Sequence, residues 1–347
     1  QAVTTNEIIP VTTTKYISGA TTVQYASNHT LYAQWTPNKI TITLNKNGGS
    51  GGTSKFYYTY GIKKFYSDAN LTQELTSMTF PTRAGYTFSH YYGDGTSGGN
   101  ANEQYGMTTS GVTSGDLHTD IYKDATLYAK WTPNTIKITL NKNGGTGGTT
   151  TFYYKYGINT FYSNAACTTT ISKVTLPTKE YYNCTGYLGD GTSGGNNGEV
   201  FIRDDGTFYG DLCTDIYKDA TLTARWSVKT YTLTVNWGSD SNGNGDWYFD
   251  VQFYGKVQVS SSQSGERSGT RTFTIEATSS LSVYFYIQSP AGLIYHKTGN
   301  VSISGNCTNS GFGSRKANVA EGNASLSGSA SNFKENITIS FYFSASK

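Results

Sequence analysis

The chain repeats itself at a long, regular interval. The string LYAQWTPN returns as LYAKWTPN and then, in altered form, as LTARWSVK. The interval is 96 and then 95 residues between the tryptophans of these strings, Trp35, Trp131 and Trp226. A period this long corresponds to a whole small domain and not to one turn of a solenoid, so the sequence predicts domains joined in a row.

The repeat divides the chain into four segments. Residues 1–37 hold a partial repeat with the closing strand only, and residues 38–133 and 134–228 are complete units. Residues 229–347 abandon the repeat and form a distinct C-terminal region. Each unit is long enough to enclose a modest core of its own.

Composition favours an all-β or mainly β fold. Charged residues make up only 14% of the chain, while Gly, Ser, Thr and Asn are abundant and the chain holds 29 Tyr and 16 Phe. Thr, Tyr and Phe suit pleated, half-buried strands, and Gly-Asn clusters suit tight turns. Disorder is the competing interpretation of a Ser/Gly-rich chain, but the dense aromatic residues argue against it.

Each unit opens with a predicted hairpin. In TIKITLNKNGGTGGTTTFYYKYG, the apolar Ile136, Ile138 and Leu140 alternate with polar residues, as in a half-buried strand. NGG then marks a tight turn before a second strand. The segment ATLYAKWTP predicts a closing strand that ends at Pro133, because proline cannot donate to a strand ladder.

The order of motifs resembles a known family. A hydrophobic strand, the NGG turn, YG, PTRAGYTF and TLYAKWT follow one another as in the Listeria–Bacteroides repeat, the internalin B-repeat type of module of bacterial surface proteins. The resemblance covers roughly 38–133 and 134–228 in full, and 20–37 as a tail. It implies small β-grasp-like domains repeated along stalks and adhesins, with no catalytic residues to carry over.

The chain departs from the family pattern after GYTF. Ser89 to Tyr92 replace the usual glycine and tryptophan, and an enlarged insertion comes next at about 93–120 and 189–215, beginning GDGTSGGN in both copies. Loops on a rigid scaffold often bind partners, so unit-specific function is one interpretation of the insertion. A decorative Gly-rich loop or extra hairpin is the other.

The C-terminal region predicts a β-sandwich. Alternating segments such as YTLTVNW, RTFTIEA and NITISFYF are separated by Gly/Ser/Asn turns at the spacing typical of sandwiches.

One polar turn in this region is the candidate metal site. In DSNGNGDWYFDV, the residues Asp240, Asn242 and Asn244 match the first three ligand positions of a Ca²⁺-binding loop. Val251 replaces the bidentate glutamate, however, and the flanks have strand patterns. A polar turn between two strands is therefore the alternative.

Three aromatic residues beside that turn are candidates for stacking on a ligand such as a sugar ring: Trp247, Tyr248 and Tyr254. Alternate residues of a strand face the core, so packing is their other interpretation.

The four cysteines are disulfide candidates, with three possible pairings: Cys167, Cys184, Cys213 and Cys307. At the positions of Cys167, Cys184 and Cys213 the first unit has Leu71, Phe88 and His118. The cysteines therefore do not belong to the shared framework, and buried free thiols are the alternative to disulfides.

Charge and hydropathy exclude several partners. The net charge of +3 comes from dispersed residues, so it predicts neither nucleic-acid binding nor attraction to an anionic membrane. No run of apolar residues is long enough to insert into a membrane. Because Gln1 opens the chain and no signal peptide is evident, we expect a mature or excised piece of an extracellular or cell-surface protein.

The sequence therefore predicts a non-catalytic surface segment: a repeat stalk with a possible adhesive C-terminal domain that contacts a host or neighbouring-cell glycan or protein. No cofactor is expected beyond the possible Ca²⁺. One alternative is a filament subunit that associates with itself by strand complementation through residues 1–37 and 336–343. The other is a carbohydrate-binding module of a secreted enzyme.

Overall fold

A computed structural model describes most of the chain from residue 35 onward. The described residues are 35–96, 101–105, 107–108, 111–112, 116–191, 196–239, 248–254, 263–264, 268–288, 296–317 and 323–346. Within them the secondary structure is strands and turns with two one-turn helices. The all-β prediction is confirmed.

The first repeat unit forms one mixed sheet. Its elements are β1 (Lys39–Asn45), β2 (Lys55–Thr59), β3 (Phe65–Tyr66), β4 (Tyr86–Gly93), β5 (Gln104–Tyr105), β6 (Met107–Thr108), β7 (Gly111–Val112), α1 (Leu117–Asp120) and β8 (Ala125–Pro133). The strand order is β3-β2-β1-β8-β4-β5, and β6 pairs with β7 apart from this sheet. The first and last strands, β1 and β8, pair in parallel at the centre.

The second unit repeats this arrangement. Its elements are β9 (Thr135–Asn141), β10 (Thr151–Lys155), β11 (Phe161–Tyr162), β12 (Thr170–Ile171), β13 (Tyr182–Leu188), β14 (Val200–Ile202), α2 (Leu212–Asp215) and β15 (Ala220–Val228). The order is β12-β11-β10-β9-β15-β13-β14, again with its first and last long strands parallel at the centre.

The NGG hairpin is formed in both units. Side chains at alternate positions of β1 face the core, where Ile40, Ile42 and Leu44 are buried. Asn47 and Gly48 then take positive φ values of 47° and 86°, which asparagine and glycine tolerate best. This local chemistry explains why the sequence predicted the hairpin correctly.

The end of each insertion belongs to the core of its unit. Leu117 and Ile121, around α1, are fully buried, and the buried Tyr58 hydroxyl contacts both of their carbonyl oxygens at 3.1 and 2.5 Å. In the second unit Tyr154 makes the same contacts around α2. The insertion is therefore more than the decorative loop that was one of its two interpretations.

The C-terminal region forms two five-stranded sheets. Its strands are β16 (Thr230–Ser239), β17 (Tyr248–Tyr254), β18 (Gln263–Ser264), β19 (Ser268–Glu276), β20 (Ser280–Gln288), β21 (His296–Ser304), β22 (Thr308–Ser310), β23 (Gly313–Ala317), β24 (Asn323–Ser331) and β25 (Ile337–Ser346). The orders are β19-β16-β25-β21-β23 and β18-β17-β20-β24-β22. Leu281 and Ala330 of the second sheet share one core with Leu233, Ile339 and Phe341 of the first.

The segment 336–343 has a place in this sheet that bears on the predicted strand complementation. β25 pairs in parallel with β16 and antiparallel with β21, so its backbone is paired on both sides. Its alternate residues Ile337, Ile339 and Phe341 are buried. Strand complementation of another copy by this segment would therefore require it to leave its own sheet.

Each sheet lies within one of the segments marked by the repeat. The sheets of the two units are formed from 39–133 and 135–228, and the C-terminal pair from 230–346. Residues 1–34, most of the partial repeat, lie outside the described residues. Trp35 is 89% exposed, whereas its counterparts Trp131 and Trp226 are half-buried.

Candidate functional site at the domain joints

A single residue links the two repeat units. β8 ends at Pro133 and β9 begins at Thr135, so only Asn134 lies between the two sheets. The Asn134 N–H donates to the Gly85 carbonyl of the first unit at 2.9 Å, and its carbonyl accepts from the Tyr156 N–H of the second at 3.0 Å. The linker backbone is therefore bonded to the domains on both sides.

The second joint has the same backbone geometry. Lys229 is the only residue between β15 and β16. Its N–H donates to the Tyr181 carbonyl at 2.8 Å, and its carbonyl accepts from the Ala277 N–H of the C-terminal region at 2.8 Å. Tyr181 occupies the position that Gly85 has in the first unit.

Aromatic rings close the first joint. The rings of Tyr86 and Tyr156 meet edge to face, with centroids 5.3 Å apart at 87°. Gly85 has φ +77°, and a Cβ atom there would overlap the Tyr156 ring. Glycine is therefore favoured by the backbone conformation and required by the close approach of the ring.

Polar side chains complete the first joint. The Thr87 hydroxyl donates to the Asn134 side-chain oxygen at 2.6 Å. The Tyr156 hydroxyl donates to the Thr214 carbonyl at 2.9 Å within its own unit, which fixes the ring that packs on Gly85.

The second joint uses a cation in place of the tyrosine pair. Tyr181 adopts φ +64°, a left-handed conformation that is unusual for a residue with a side chain. Lys334 of the C-terminal region lies 2.8 Å from Glu180 and 5.9 Å from the centre of the Tyr181 ring. The hydrogen bond from Lys334 lowers the pKa of the Glu180 carboxyl.

The predicted calcium and stacking residues fall mostly outside the described part of the chain. Asp240, Asn242, Asn244 and Trp247 lie outside it altogether. Tyr248 and Tyr254 are the first and last residues of β17, but their side chains are not described. Both sites stay predictions. Among the described residues, no group of three or more His, Cys, Asp or Glu is placed to hold a metal ion.

All four disulfide candidates are free thiols in this structure, in four separate places: Cys167 in a turn, Cys184 on β13, Cys213 in α2 and Cys307 before β22. Burial raises the pKa of Cys184, Cys213 and Cys307. A raised thiol pKa leaves little thiolate at neutral pH, so these side chains serve as packing groups here.

An open groove lies at the root of the second insertion, between Lys179, Asp190, Arg225 and Trp226. The Trp226 ring is covered by Gly145 on its edge and by the Lys179 amine, 5.5 Å from its centre. Its Nε1–H donates to the carbonyls of Lys142 and Asn143. The tryptophan closes the NGG turn and is half-buried at one side of this groove.

Sequence reasoning missed the joints, although a signal was present. The Tyr-Gly dipeptide at 156–157 and the change from Gly85 to Tyr181 are both visible in the aligned copies. The contacts of these residues depend on the domain packed beside them, and the periodicity of a strand gives no information about that domain.

Comparison with known proteins gives distant relatives. No family model matches the chain. Two proteins of Evansella cellulosilytica are 26% and 25% identical over 63% and 70% of the chain, and they are provisionally named as a Gly-rich membrane protein and a membrane protein. The chain spans 20% and 29% of their length. In the described residues, no helix is long and apolar enough to cross a membrane.

Solved structures with some likeness are major pilins of Streptococcus pyogenes. One is 12% identical over 61% of this chain and 98% of the pilin, with a TM-score of 0.16, and another is 10% identical over 88% and 95%, with a TM-score of 0.19. Scores this low carry no argument about the arrangement or function of this chain.

Proposed function

We propose that this chain is a non-catalytic segment of a bacterial surface protein, in which the repeat units form a semi-rigid stalk that presents the C-terminal region. The observation that carries the proposal is the one-residue linker at each joint, hydrogen-bonded to the domains on both sides. Domains joined by longer, unpaired linkers move relative to one another by default. A bonded linker of one residue removes most of that freedom.

The Listeria–Bacteroides resemblance belongs to this proposal. A mixed sheet with its first and last strands parallel at the centre is consistent with a β-grasp-like unit. The tandem arrangement suits a protein that spaces or displays a terminal domain at a cell surface. A glycan or protein partner of the C-terminal region is part of the same proposal.

Small-angle scattering of the intact chain tests the stalk. We expect the parent profile to fit one arrangement of the domains, because both linkers are bonded. Gly85→Asn should broaden the distribution of maximum dimensions, since asparagine accepts the left-handed φ but its Cβ meets the Tyr156 ring. Gly61→Asn is the matched control, because Gly61 has φ +78° and open space around it.

Two results would overturn the stalk. One is a parent chain that already scatters as independently moving domains. The other is an identical response to Gly85→Asn and Gly61→Asn, which would mean that the contact at Gly85 does not hold the joint.

A further inference from the structure

The start of the first unit carries half of a joint. The Asn38 carbonyl accepts from the Tyr60 N–H at 2.9 Å, just as the Asn134 carbonyl accepts from Tyr156. At Asn134 and Lys229 a second hydrogen bond is also present, from the N–H of the linker residue to a carbonyl of the preceding unit. Within the described part of the chain, no backbone carbonyl accepts from the Asn38 N–H.

The residues on this face are those of the complete joint. Trp35 to Asn38 read WTPN, as do the four residues that end at Asn134. Tyr60 and Gly61 correspond to Tyr156 and Gly157. We call Asn38, Tyr60 and Gly61 the entry face.

The entry face is open where its counterpart is covered. The Tyr156 ring packs edge to face against Tyr86, whereas no described ring packs against Tyr60, which is 37% exposed. Gly61 has nothing within 4 Å of a Cβ position, whereas a Cβ at Gly157 would lie 3.2 Å from the Tyr86 hydroxyl. The same surface therefore exists twice in this chain, once occupied and once vacant in the described residues.

We infer that the entry face docks the Gly-Tyr-Thr turn of a further repeat unit of the first type, located ahead of Asn38 in the same polypeptide. This inference rests on the proposed stalk and names the partner of its first unit. The glycine carbonyl of that turn accepts from the Asn38 N–H, and its threonine hydroxyl donates to the Asn38 side-chain oxygen. These are the bonds that Gly85 and Thr87 make with Asn134.

The entry face also selects the type of unit. Tyr60 has the same side chain as Tyr156, whose ring leaves no room for a Cβ at position 85. A turn of the second type, with Tyr181 in place of that glycine, would place its side chain where the Tyr60 ring lies. That turn suits a following domain with Ala277 and Lys334 at the contact, as observed at the second joint.

A second copy of this chain does not supply the turn. Its Gly85 turn is already covered by its own Tyr156, and its Tyr181 turn is bonded to its own Lys229 and contacted by its own Lys334. An additional unit with a vacant turn is therefore the occupant that fits.

The test is the full chain with residues 38–133 duplicated, so that Pro133 of the added copy leads into the original Asn38. The new junction reads WTPN, as the parent does at this point. Hydroxyl-radical footprinting should then show a severalfold fall in the oxidation of the original Tyr60 relative to the parent chain. Gly85→Asn in the added copy should restore the oxidation. Gly51→Asn in the added copy should not, because Gly51 has φ +70°, nothing within 4 Å of a Cβ position, and lies outside the entry face.

Oxidation of Tyr58 in the added copy of 38–133 would reveal that this copy does not fold. A second variant then tests the inference. Here the added unit is a copy of 134–228. It should protect Tyr60 only when it carries Tyr181→Gly. The inference is overturned if the original Tyr60 is oxidised equally in the parent, in the chain with 38–133 duplicated and in the chain whose added copy of 134–228 carries Tyr181→Gly. Protection of Tyr60 that is unchanged by Gly85→Asn also overturns it.

Tyr156 in the same samples separates this inference from the proposed stalk. Protected Tyr156 with unprotected Tyr60 rejects the entry face alone. If Tyr156 is oxidised as readily as Tyr60 in the parent chain, the existing joint is open and the stalk itself is rejected.

Discussion

Tyr156 packs edge to face against Tyr86 across the joint between the two repeat units, with ring centroids 5.3 Å apart. The two residues come from different sheets, and the contact depends on Gly85, which lies beneath the Tyr156 ring. Tyr60, the counterpart of Tyr156 in the first unit, has no such described partner and is 37% exposed. Identical side chains therefore have different roles that depend on the preceding domain.

The contact between Tyr86 and Tyr156 predicts that replacing Tyr156 by alanine destabilises the protein more than replacing Tyr60 does. Tyr156→Ala should lower the free energy of unfolding by about 1–2 kcal/mol, because it removes an aromatic pair and a hydroxyl that is bonded to Thr214. Tyr60→Ala is the matched control and should change it by less than about 0.5 kcal/mol. Urea denaturation measures both, and equal losses would contradict the joint.

The tryptophan of the closing strand predicts a second contrast. Trp131 packs on Phe88 and on Gly49, and its Nε1–H donates to the carbonyls of Lys46 and Asn47 at 3.0 Å. Trp131→Ala should cost about 3 kcal/mol, as large aromatic truncations do.

Trp35→Ala is the control for that mutation, because Trp35 is 89% exposed, and it should cost less than about 0.5 kcal/mol. Thermal unfolding compares the two variants. A loss below about 1 kcal/mol for Trp131→Ala would mean that the NGG turn closes without the ring.

Two buried tyrosines of the second unit should respond in opposite ways to loss of the hydroxyl. The Tyr187 hydroxyl is buried, and no described residue is bonded to it. Tyr187→Phe should therefore leave the free energy of unfolding unchanged or raise it, because an unpartnered buried hydroxyl is destabilising. Tyr154→Phe removes the contacts with the Leu212 and Ile216 carbonyls and should cost about 1–2 kcal/mol. Chemical denaturation at neutral pH would reject this account if both variants lost stability equally.

The same burial predicts sensitivity to alkali. Burial raises the pKa of Tyr91 and of Tyr187 to about 12, from the ordinary value of 10.0 that we assign to the unfolded chain. Above pH 10 the unfolded chain loses these protons first, so the folded state binds more protons and its stability falls as the pH rises toward 12.

Unfolding monitored against pH, with tyrosinate absorbance as the second signal, checks this prediction. The double variant Tyr91→Phe with Tyr187→Phe should weaken the dependence between pH 10 and 12. An unchanged slope would mean that other groups control the alkaline transition.

Thiol chemistry tests the cysteine assignments. Because burial raises the pKa of Cys184, Cys213 and Cys307, these thiols should alkylate more slowly in the folded protein at about pH 8 than in denaturant. Intact-mass analysis without reductant measures the extent of labelling. Rapid labelling of the folded protein, or a mass that reveals disulfides, would contradict the free, buried thiols of this structure.

The hairpins were predictable from sequence because their causes are local. Alternation through Ile136, Ile138 and Leu140 fixes which face of the strand is buried, and NGG supplies the left-handed residues of the turn. The ends of the long strands were also predictable, since Pro133 stops the closing strand of the first unit.

The contribution of the insertion to the core was not predictable in the same way. Leu117 and Ile121 belong to no long periodic segment. They are buried in a core whose other members, such as Tyr58, lie far away in sequence and contact their carbonyls. The place of β25 between β16 and β21 is equally non-local, and the sequence did not indicate that the segment 336–343 is paired on both sides within its own region.

The sequence by itself determined the all-β class, because strand propensity, alternation and turn residues act over a few neighbours. Tertiary structure decided the joints. Gly85 and Tyr181 occupy equivalent positions, yet one lies beneath a tyrosine ring and the other beside Lys334. That difference is set by the domain packed against each turn. Contacts between domains produce no periodic pattern in the sequence of either domain, so the sequence did not indicate them.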